Sequence, residues 1–389
     1  MLPRIPARHL LSRSRALIGW PLCRAVLLFF LSAPLPIYAQ QTNSVSPQAI
    51  PSDGVPQSGV PPANPPTDTG ESEETNPPVA AKPSWVITHD SDGNVGQQIK
   101  VGSDFAIGEH ARLGIMFGQA FVYNTTTNSN LGTQSMRDLG LTSQWHPNDV
   151  LKVEGMVGAS QLGSAVATGE QPVSPTVIPI ANLQFHITPP GDVVKLDVGF
   201  KRFIFDLSPE LVANRAVRND FIVHPQISLP SGWRLRELAE IGPVTSSGQS
   251  NNRFNSESTL GHKLGKSSEL YSTYTTLHYA QPSGAGYFSP DLVQNLEGGW
   301  STDLDRKSLS LSLDCGAGAG RAKNHGESFG PLGLSMHAAS FLTWTSNSGQ
   351  ELGASYEFYY DQSNPGVAQS SPGAWHMSVV TFSFRWSRQ

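Results

Sequence analysis

The chain has 389 residues, a formal net charge of -5 and only two cysteines. A chain with more acidic than basic residues is a poor candidate for general nucleic-acid binding, because such binding requires a positively charged surface. Only Cys315 follows residue 39, so the mature chain has no intrachain disulfide. Composition therefore excludes a nucleic-acid-binding domain and a small disulfide-bonded scaffold.

Residues 1–39 have the pattern of a secretory signal peptide. Five arginines and no acidic residue precede or flank a short apolar run from Ala25 to Leu31, and we predict cleavage after Ala39. The run is too short to span a bilayer as a helix. An uncleaved signal anchor is the alternative, whereas a lipoprotein anchor is disfavoured because Cys23 precedes the apolar run. Removing this segment lowers the net charge to about -10.

Residues 40–83 form a second region of distinct composition. The region is rich in proline, serine, threonine and glycine and contains no aromatic residue. Such a segment cannot bury enough apolar surface to offset its ordering entropy, so we predict a disordered periplasmic tether. Binding through the extended Pro61-Pro62 piece is the alternative interpretation.

Residues 84–389 alternate between apolar and polar side chains with a period of two, which is typical of β-strands. In the last segment the apolar face carries Val380, Phe382, Phe384 and Trp386. The polar face carries Thr381, Ser383 and Arg385. The same alternation occurs in segments 112–123, 308–314, 332–344 and 351–360. Segments 217–225 and 233–241 alternate poorly, so the pattern does not define strand boundaries between residues 206 and 253.

Short connections alternate with mostly longer polar ones along this region. Seven short turns and eight loops, one of them predicted over 245–252, indicate sixteen strands. Tight periplasmic turns and longer external loops are the plan of a transmembrane antiparallel up-and-down β-barrel. An even strand number places both chain ends on the periplasmic side of a Gram-negative outer membrane. A periplasmic or secreted β-sandwich is the alternative, although a sandwich rarely needs so many strands.

Aromatic residues agree with a barrel. Tyr271 and Tyr279 share a face, and their eight-residue separation corresponds to about 20 Å along the membrane normal. That distance is close to the height of the apolar band, so we predict that both tyrosines belong to the lipid-facing aromatic girdles.

A sixteen-stranded barrel can enclose a water-filled channel. The inward faces carry sixteen ionisable residues: Lys100, Asp104, Arg112, Lys152, Glu154, Lys195, Asp197, Lys201, Glu257, Lys263, Glu297, Asp314, His337, Glu351, Glu357 and Arg385. The candidates for the lumen or substrate path among them are Lys152, Glu154, Lys195, Asp197, Glu297, Glu351 and Glu357. Their mixed signs argue against a strongly ion-selective pore. Two interpretations remain: the side chains line an open conduit, or they pair across the lumen and help to close it.

Two short motifs resemble a known family. These are His89-Asp90-Ser91-Asp92-Gly93-Asn94 and Gly286-Tyr287-Phe288-Ser289-Pro290-Asp291. They resemble the C-terminal barrel of the cellulose synthase operon protein C family, the outer-membrane exporters of cellulose and related exopolysaccharides. The resemblance implies a sixteen-stranded pore that passes a β-glucan, with Tyr287, Phe288 and Trp300 as sugar contacts. The alternative for these three aromatic residues is loop packing and girdle anchoring.

The sequence departs from that family in one respect. The family's long periplasmic array of helical repeats is missing, and residues 40–83 show no 34-residue period. The resemblance therefore implies three partners: outer-membrane lipid, a polysaccharide chain and a separate periplasmic scaffold of a synthase complex.

Two rival functions come from other classes. His376 and Ser378 are two residues apart on one strand face, which is the spacing of some barrel-surface hydrolases. The other rival is a general porin or structural barrel. The histidines are scattered without metal-ligand spacing, and no glycine-rich phosphate-binding loop precedes a helix. We therefore expect no cofactor, no metal and no enzymatic activity.

Overall fold

The computed structural model describes residues 79–125, 132–166, 175–191, 193–205, 208–283, 287–363 and 375–388. The predicted signal peptide and most of the predicted tether lie outside these residues. The described chain forms sixteen β-strands. The strands are β1 Val79–Asp90, β2 Asn94–Ile107, β3 Ala111–Asn124, β4 Thr133–Asn148, β5 Leu151–Val166, β6 Thr176–Ile187, β7 Val194–Ile204, β8 Val217–Ser228, β9 Trp233–Ser246, β10 Gln249–Lys263, β11 Ser268–Tyr279, β12 Leu292–Arg306, β13 Leu309–Lys323, β14 Gly333–Thr345, β15 Glu351–Asp361 and β16 Trp375–Arg388.

The sixteen strands close into one antiparallel barrel. Each strand pairs with its sequence neighbours, and β1 pairs with β16, so Val79 lies opposite Arg388. The predicted fold is therefore confirmed, and both described chain ends lie at the same rim. We call this end the turn rim and the opposite end the loop rim. By the usual orientation of such barrels, the turn rim faces the periplasm.

Helices are a minor part of the described chain. A short α-helix, α1 (Pro209–Ala213), lies in the β7–β8 loop, and a single 3₁₀ turn, Pro230–Gly232, joins β8 to β9. Ser208 caps α1 by accepting a hydrogen bond from the backbone N–H of Leu211. Among the described residues, no helix combines the length and apolarity needed to cross a membrane.

Two predicted boundaries differ from the structure. β1 begins at Val79, inside the segment predicted as tether up to residue 83, because the backbone of this segment pairs with β2 and β16. The Lys82 ammonium also lies 2.8 Å from the Asp104 carboxylate. The loop predicted over 245–252 was wrong, since β9 and β10 are joined by a two-residue turn in which Gly248 has a φ of 82°. A glycine adopts this left-handed conformation without strain.

The two barrel faces have opposite chemistry. Large apolar side chains, such as those of Leu139, Leu141 and Val157, point outward and are exposed. Trp145, Trp233, Trp344 and Trp386 lie on the outward face at the turn-rim ends of their strands. This arrangement matches the aromatic girdle of membrane barrels.

The prediction that Tyr271 and Tyr279 belong to the girdles was wrong. Both tyrosines share a face, but it is the lumen face, because their neighbours Leu270 and Tyr274 are the exposed outward residues of β11. Period-two alternation assigns residues to a common face without saying which face meets lipid. The hydrogen bonds that Tyr271 makes inside the barrel decide the question.

Candidate functional site in the barrel lumen

An ion-pair network follows the lumen wall across β5 to β8. Lys152 lies 2.7 Å from the Glu154 carboxylate, and His186 Nδ1 lies 2.8 Å from Asp197 Oδ1. The other side of the Asp197 carboxylate lies 3.3 Å from His224 Nδ1, and His186 Nε2 lies 3.7 Å from Glu154. The structure thus brings three predicted lumen residues together through two histidines.

Sequence reasoning missed His186 and His224, although the alternation contains the signal that would have found them. His186 lies opposite Lys152 in the β5–β6 register, and His224 lies opposite Asp197 in the β7–β8 register. Any side chain directly opposite an inward residue also points inward. Lys195, a further predicted lumen residue, shares the inward face of β7 with Asp197.

A second network connects β11 to β14. The Glu297 carboxylate lies 2.7 Å from His337 Nδ1 and also accepts a 2.7 Å hydrogen bond from the Asn295 amide. The Tyr271 hydroxyl lies 2.8 Å from His337 Nε2 and donates a short hydrogen bond to Asp314. Of these five residues, Glu297, Asp314 and His337 were predicted to face the lumen, whereas Asn295 was missed and Tyr271 was assigned to the lipid-facing girdle.

Two glycines shape the wall under this network. A Cβ atom added at Gly299 would collide with the Tyr271 ring, and one added at Gly316 would collide with the His337 ring. Both rings can therefore lie flat against neighbouring strands. The ring planes are 21° apart, with centroids separated by 6.3 Å. The result is an aromatic surface on the lumen wall beside two carboxylates.

A third group repeats this construction on β9 to β11. Arg236 lies 2.7 Å and Arg234 lies 3.3 Å from the Glu269 carboxylate. The carboxylate reaches across Gly261 of the intervening strand, where a Cβ atom would collide with it. The glycine thus permits a charge pair between strands that are not direct neighbours.

The described ion pairs run along the wall. Where both partners lie on strands, they belong to one strand or to strands at most two positions apart in the barrel. Glu351 and Arg385, for example, lie on adjacent strands, and their closest atoms are 3.7 Å apart. Glu357 accepts a 2.6 Å hydrogen bond from Tyr359 of its own strand. The interpretation that these side chains pair across the lumen and close it therefore finds no support in these contacts.

Trp300 occupies a different environment from the one predicted. In the β11–β12 register it lies opposite Leu270, an exposed outward residue. Glu297 faces inward, and an odd separation along a strand places Trp300 on the other face. The prediction that Trp300 contacts a substrate in the lumen was wrong.

Tyr287 and Phe288 lie in the mouth of the barrel. They belong to the β11–β12 loop and are only 2% and 6% exposed. The Tyr287 ring packs 5.4 Å from the Tyr279 ring and 5.7 Å from the Phe205 ring, measured between centroids. Leu211 of α1 joins the same apolar cluster, and α1 also packs against β3 and β4. We call the loop residues Phe205, Leu211, Val212, Tyr287 and Phe288 the mouth plug.

The motif that resembles the exporter family holds this loop in place. Ser289 Oγ accepts a 2.6 Å hydrogen bond from the Ser283 N–H, and the Pro290 carbonyl accepts one from the Tyr279 N–H at 3.0 Å. Asp291 lies 2.5 Å from Lys323, and this contact holds the pKa of Asp291 below its usual range. Burial raises the pKa of Tyr287. Gly286 of the motif lies outside the described residues.

A buried charge cluster lies on the wall near the mouth plug. Arg253 donates to Glu240 at 3.0 Å, and Arg218 Nε donates to Asp220 at 2.9 Å. Asn255 adds a third donor, 3.2 Å from the Glu240 carboxylate. Arg253 and Asp220 are 2% and 1% exposed. The Arg218 guanidinium also lies 5.7 Å from the centroid of the Phe205 ring of the plug.

The other family-like motif forms the β1–β2 turn. Asp90 Oδ1 accepts hydrogen bonds from the N–H groups of Asp92 and Asn94 at 3.0 and 2.9 Å. Gly93 adopts a φ of 81°. An aspartate that bonds the backbone ahead of it and a glycine at positive φ are ordinary turn chemistry. This motif is accounted for by turn formation.

The hydrolase alternative rests on the outer surface of β16. Ser378 Oγ lies 3.4 Å from the Tyr356 hydroxyl, and the His376 ring packs against Phe358 with centroids 6.3 Å apart. These contacts give each residue an aromatic neighbour on β15. Within the described residues, no group of three His, Cys, Asp or Glu side chains could hold a metal ion.

Comparison with solved structures finds proteins of similar fold. The chain resembles a bacterial polysaccharide outer membrane secretin. The TM-score is 0.58 at 11% identity, over 80% of this chain and 98% of the secretin chain. It is also similar to the CymD monoaromatic hydrocarbon channel (TM-score 0.41, 8% identity, 80% and 89% covered). A third similar structure is OccAB1 from Acinetobacter baumannii (TM-score 0.44, 9% identity, 80% and 96% covered).

No protein-family model matches the chain, and neither does any curated protein. At 11% identity, the likeness to the secretin shows a shared barrel fold alone.

Proposed function

We propose that this protein is an outer-membrane conduit through which a neutral, cellulose-like exopolysaccharide is exported. The fold it shares with a polysaccharide secretin and the Gly286–Asp291 motif, which resembles the cellulose exporter family, support this proposal. The chemistry of the lumen wall carries it.

The key observation is the Tyr271–His337 surface with its adjacent carboxylates. A pyranose ring has apolar faces that stack on flat aromatic rings, and equatorial hydroxyls that donate to carboxylates. Tyr271 and His337 lie against the wall, and Glu297 and Asp314 lie at their edges. This combination suits an uncharged sugar chain that must slide as well as bind.

Charge pairing favours a neutral chain over an acidic one. Carboxylates are ion-paired with the cations of the described networks, as Glu269 is with Arg234 and Arg236 and Glu154 is with Lys152. A polyanion would have to displace these carboxylates to reach the cations. A neutral polymer meets hydrogen-bonding groups that are mostly paired with one another, at which it can exchange partners with little cost.

A periplasmic partner follows from this function. A nascent polysaccharide must reach the turn rim from an inner-membrane synthase, and the described chain has no helical repeats to bridge that distance. We therefore propose a separate scaffold that docks at the turn rim.

Single-channel recording in planar bilayers tests the conduit. We expect a variant with an opened plug, Tyr287→Ser/Phe288→Ser, to show large, weakly selective steps that cello-oligosaccharides block. Oligogalacturonates of equal length should block less, and Tyr271→Ala should weaken the block by the neutral sugar. Equal block by both sugars, or block that is insensitive to Tyr271→Ala, contradicts the proposal and favours a general porin.

A further inference from the structure

The outward face of β9 carries a carboxylate in the middle of the apolar band. Glu237 lies midway between Trp233, at the turn-rim girdle, and Ile241, which is 57% exposed. At the usual rise and tilt of barrel strands, Glu237 lies about 10 Å above the level of Trp233. This depth corresponds to the interior of the hydrocarbon layer.

Hydroxyl groups surround this carboxylate on the next two strands. Glu237 accepts a short hydrogen bond from Ser258, and Ser256 Oγ lies 2.8 Å from Thr276 Oγ1. All of these side chains share the outward face with the exposed Phe254. We call the set the β9–β11 patch: Glu237, Ser256, Ser258, Ser272, Tyr274 and Thr276.

Another part of the barrel surface, on β3 to β5, has a different composition at the same depth. On β3 to β5 the outward residues Ile115, Phe117, Leu139, Leu141 and Val157 are all large, apolar and at least half exposed. Acyl chains offer no hydrogen-bond partner, so a carboxylate facing them is unfavourable, whereas aliphatic side chains suit them. The β3–β5 surface is therefore built for lipid, and the β9–β11 patch is built for protein.

We propose that the β9–β11 patch is the interface of a homodimer, with a second copy of this chain as its occupant. Two copies inserted in one bilayer meet at equal depth, so the patch meets its own counterpart. The patch contains an acceptor, the Glu237 carboxylate, which Ser258 bonds within the chain, and the 40%-exposed Tyr274, whose hydroxyl can donate to a partner; Ser272 donates to the Glu297 carbonyl. Such a set is complementary to itself. This inference is independent of what passes through the lumen.

A two-fold axis along the membrane normal through β10 specifies the contacts. It places β9 of one copy opposite β11 of the other. The outward residues 272, 274 and 276 of β11 all carry hydroxyls, so Glu237 meets a hydroxyl of the partner at whichever of these positions the strand tilt selects. The small side chains of Ser256 and Ser258 lie at the axis, where they allow the two barrels to approach closely.

Cysteine crosslinking in intact outer membranes tests this geometry. The full-length chain carries Ser258→Cys, with Cys23 and Cys315 replaced by serine. The control is Leu141→Cys on β4, chosen to match the depth of Ser258 in the membrane. Leu141 lies four residues from the girdle residue Trp145. Ser258 lies four residues from His262, which packs edge-on against the girdle residue Trp233. Oxidation should convert the Ser258→Cys protein largely to a dimer and leave the Leu141→Cys protein monomeric. Equal crosslinking of the two variants overturns the proposal.

A bulky substitution gives a second, independent measurement. Tryptophan is tolerated at an outward position, so the Ser258→Trp barrel should still fold. The folded, unheated protein should then migrate faster on denaturing gels than the heated protein. Native mass spectrometry should show a dimer for the unmodified chain, no dimer for Ser258→Trp and a smaller dimer fraction for Glu237→Leu. A Ser258→Trp protein that stays dimeric, or an unmodified chain that is monomeric or trimeric, contradicts the two-fold interface.

Discussion

The mouth and the turn rim of the barrel hold their charges in different ways. Near the mouth, Arg253 and Asp220 are almost fully buried close to an apolar plug contributed by two loops. At the turn rim, Lys152 and Glu154, near the start of β5, form a pair whose side chains are more than a third exposed. A buried charge must keep its partner, whereas an exposed one can exchange its partner for water or a ligand.

This difference separates two tasks within one lumen. The mouth is suited to staying shut, because its charges and aromatic rings are buried against one another. The turn rim is suited to receiving a moving polymer, because the Lys152–Glu154 pair there remains accessible. The following variants test whether the two tasks can be changed separately.

The largest effect is expected from opening the plug. Tyr287→Ser/Phe288→Ser removes two buried rings from the mouth, so the loop loses its apolar anchor and leaves the lumen. We expect single-channel conductance to rise several-fold over the unmodified chain. The matched control is Leu332→Ser, which changes an exposed apolar residue of the β13–β14 loop. A conductance increase of the same size in this control contradicts the role given to the plug.

The second effect concerns stability. Arg253→Met leaves Asp220 and Glu240 without one of their buried partners, which should lower the free energy of unfolding by about 3–5 kcal/mol. Lys152→Met removes the exposed counterpart and should cost no more than about 1 kcal/mol. Denaturant unfolding in lipid vesicles, followed by tryptophan fluorescence, measures both. Equal losses of stability in Arg253→Met and Lys152→Met would show that the mouth and the turn rim are not distinct environments.

Much of the barrel could be predicted because the signals that define its strands are local in the sequence. Alternation with a period of two and the spacing of turns depend on neighbouring residues, and they predicted the strand number and the closed topology. The 245–252 segment was misassigned because lumen-facing polar residues such as Asn251 have the same composition as a loop. Only the register shows that they line a channel.

The site was less predictable because its contacts join distant segments. Glu297 and His337 are forty residues apart, and only the register of three strands brings them together. The burial of Tyr287 depends on a loop folding inward, and no local pattern encodes that direction. Trp300 and Tyr271 were assigned to the wrong faces, since alternation alone cannot distinguish lipid from lumen.

A smaller effect is expected from Gly299, which lies beneath the Tyr271 ring on the lumen wall. Gly299→Ala adds a Cβ that collides with the Tyr271 ring, so the ring must leave the wall and project into the lumen. We expect overpacking to cost about 1–3 kcal/mol and the conductance of the plug-opened channel to fall. Gly298→Ala is the control, because its Cβ would lie 3.9 Å from the nearest atom. If Gly298→Ala narrows the channel equally, the cause is not the tyrosine.

The smallest effect is a dependence of the mouth on pH. The contact with Lys323 lowers the pKa of Asp291 below its ordinary value of 3.8, so the ionised carboxylate favours the docked loop. A lowered pKa contributes stability above the unfolded value, and this stability is lost as the pH falls through the folded value. Channel opening should therefore stay constant from about pH 7 to about pH 5 and increase only below about pH 4. Asp291→Asn should open slightly more often at neutral pH and lose the acid-induced step, and Lys323→Met should do the same. If Asp291→Asn retains the full acid step, another group holds the loop and the Asp291–Lys323 contact is incidental to closure.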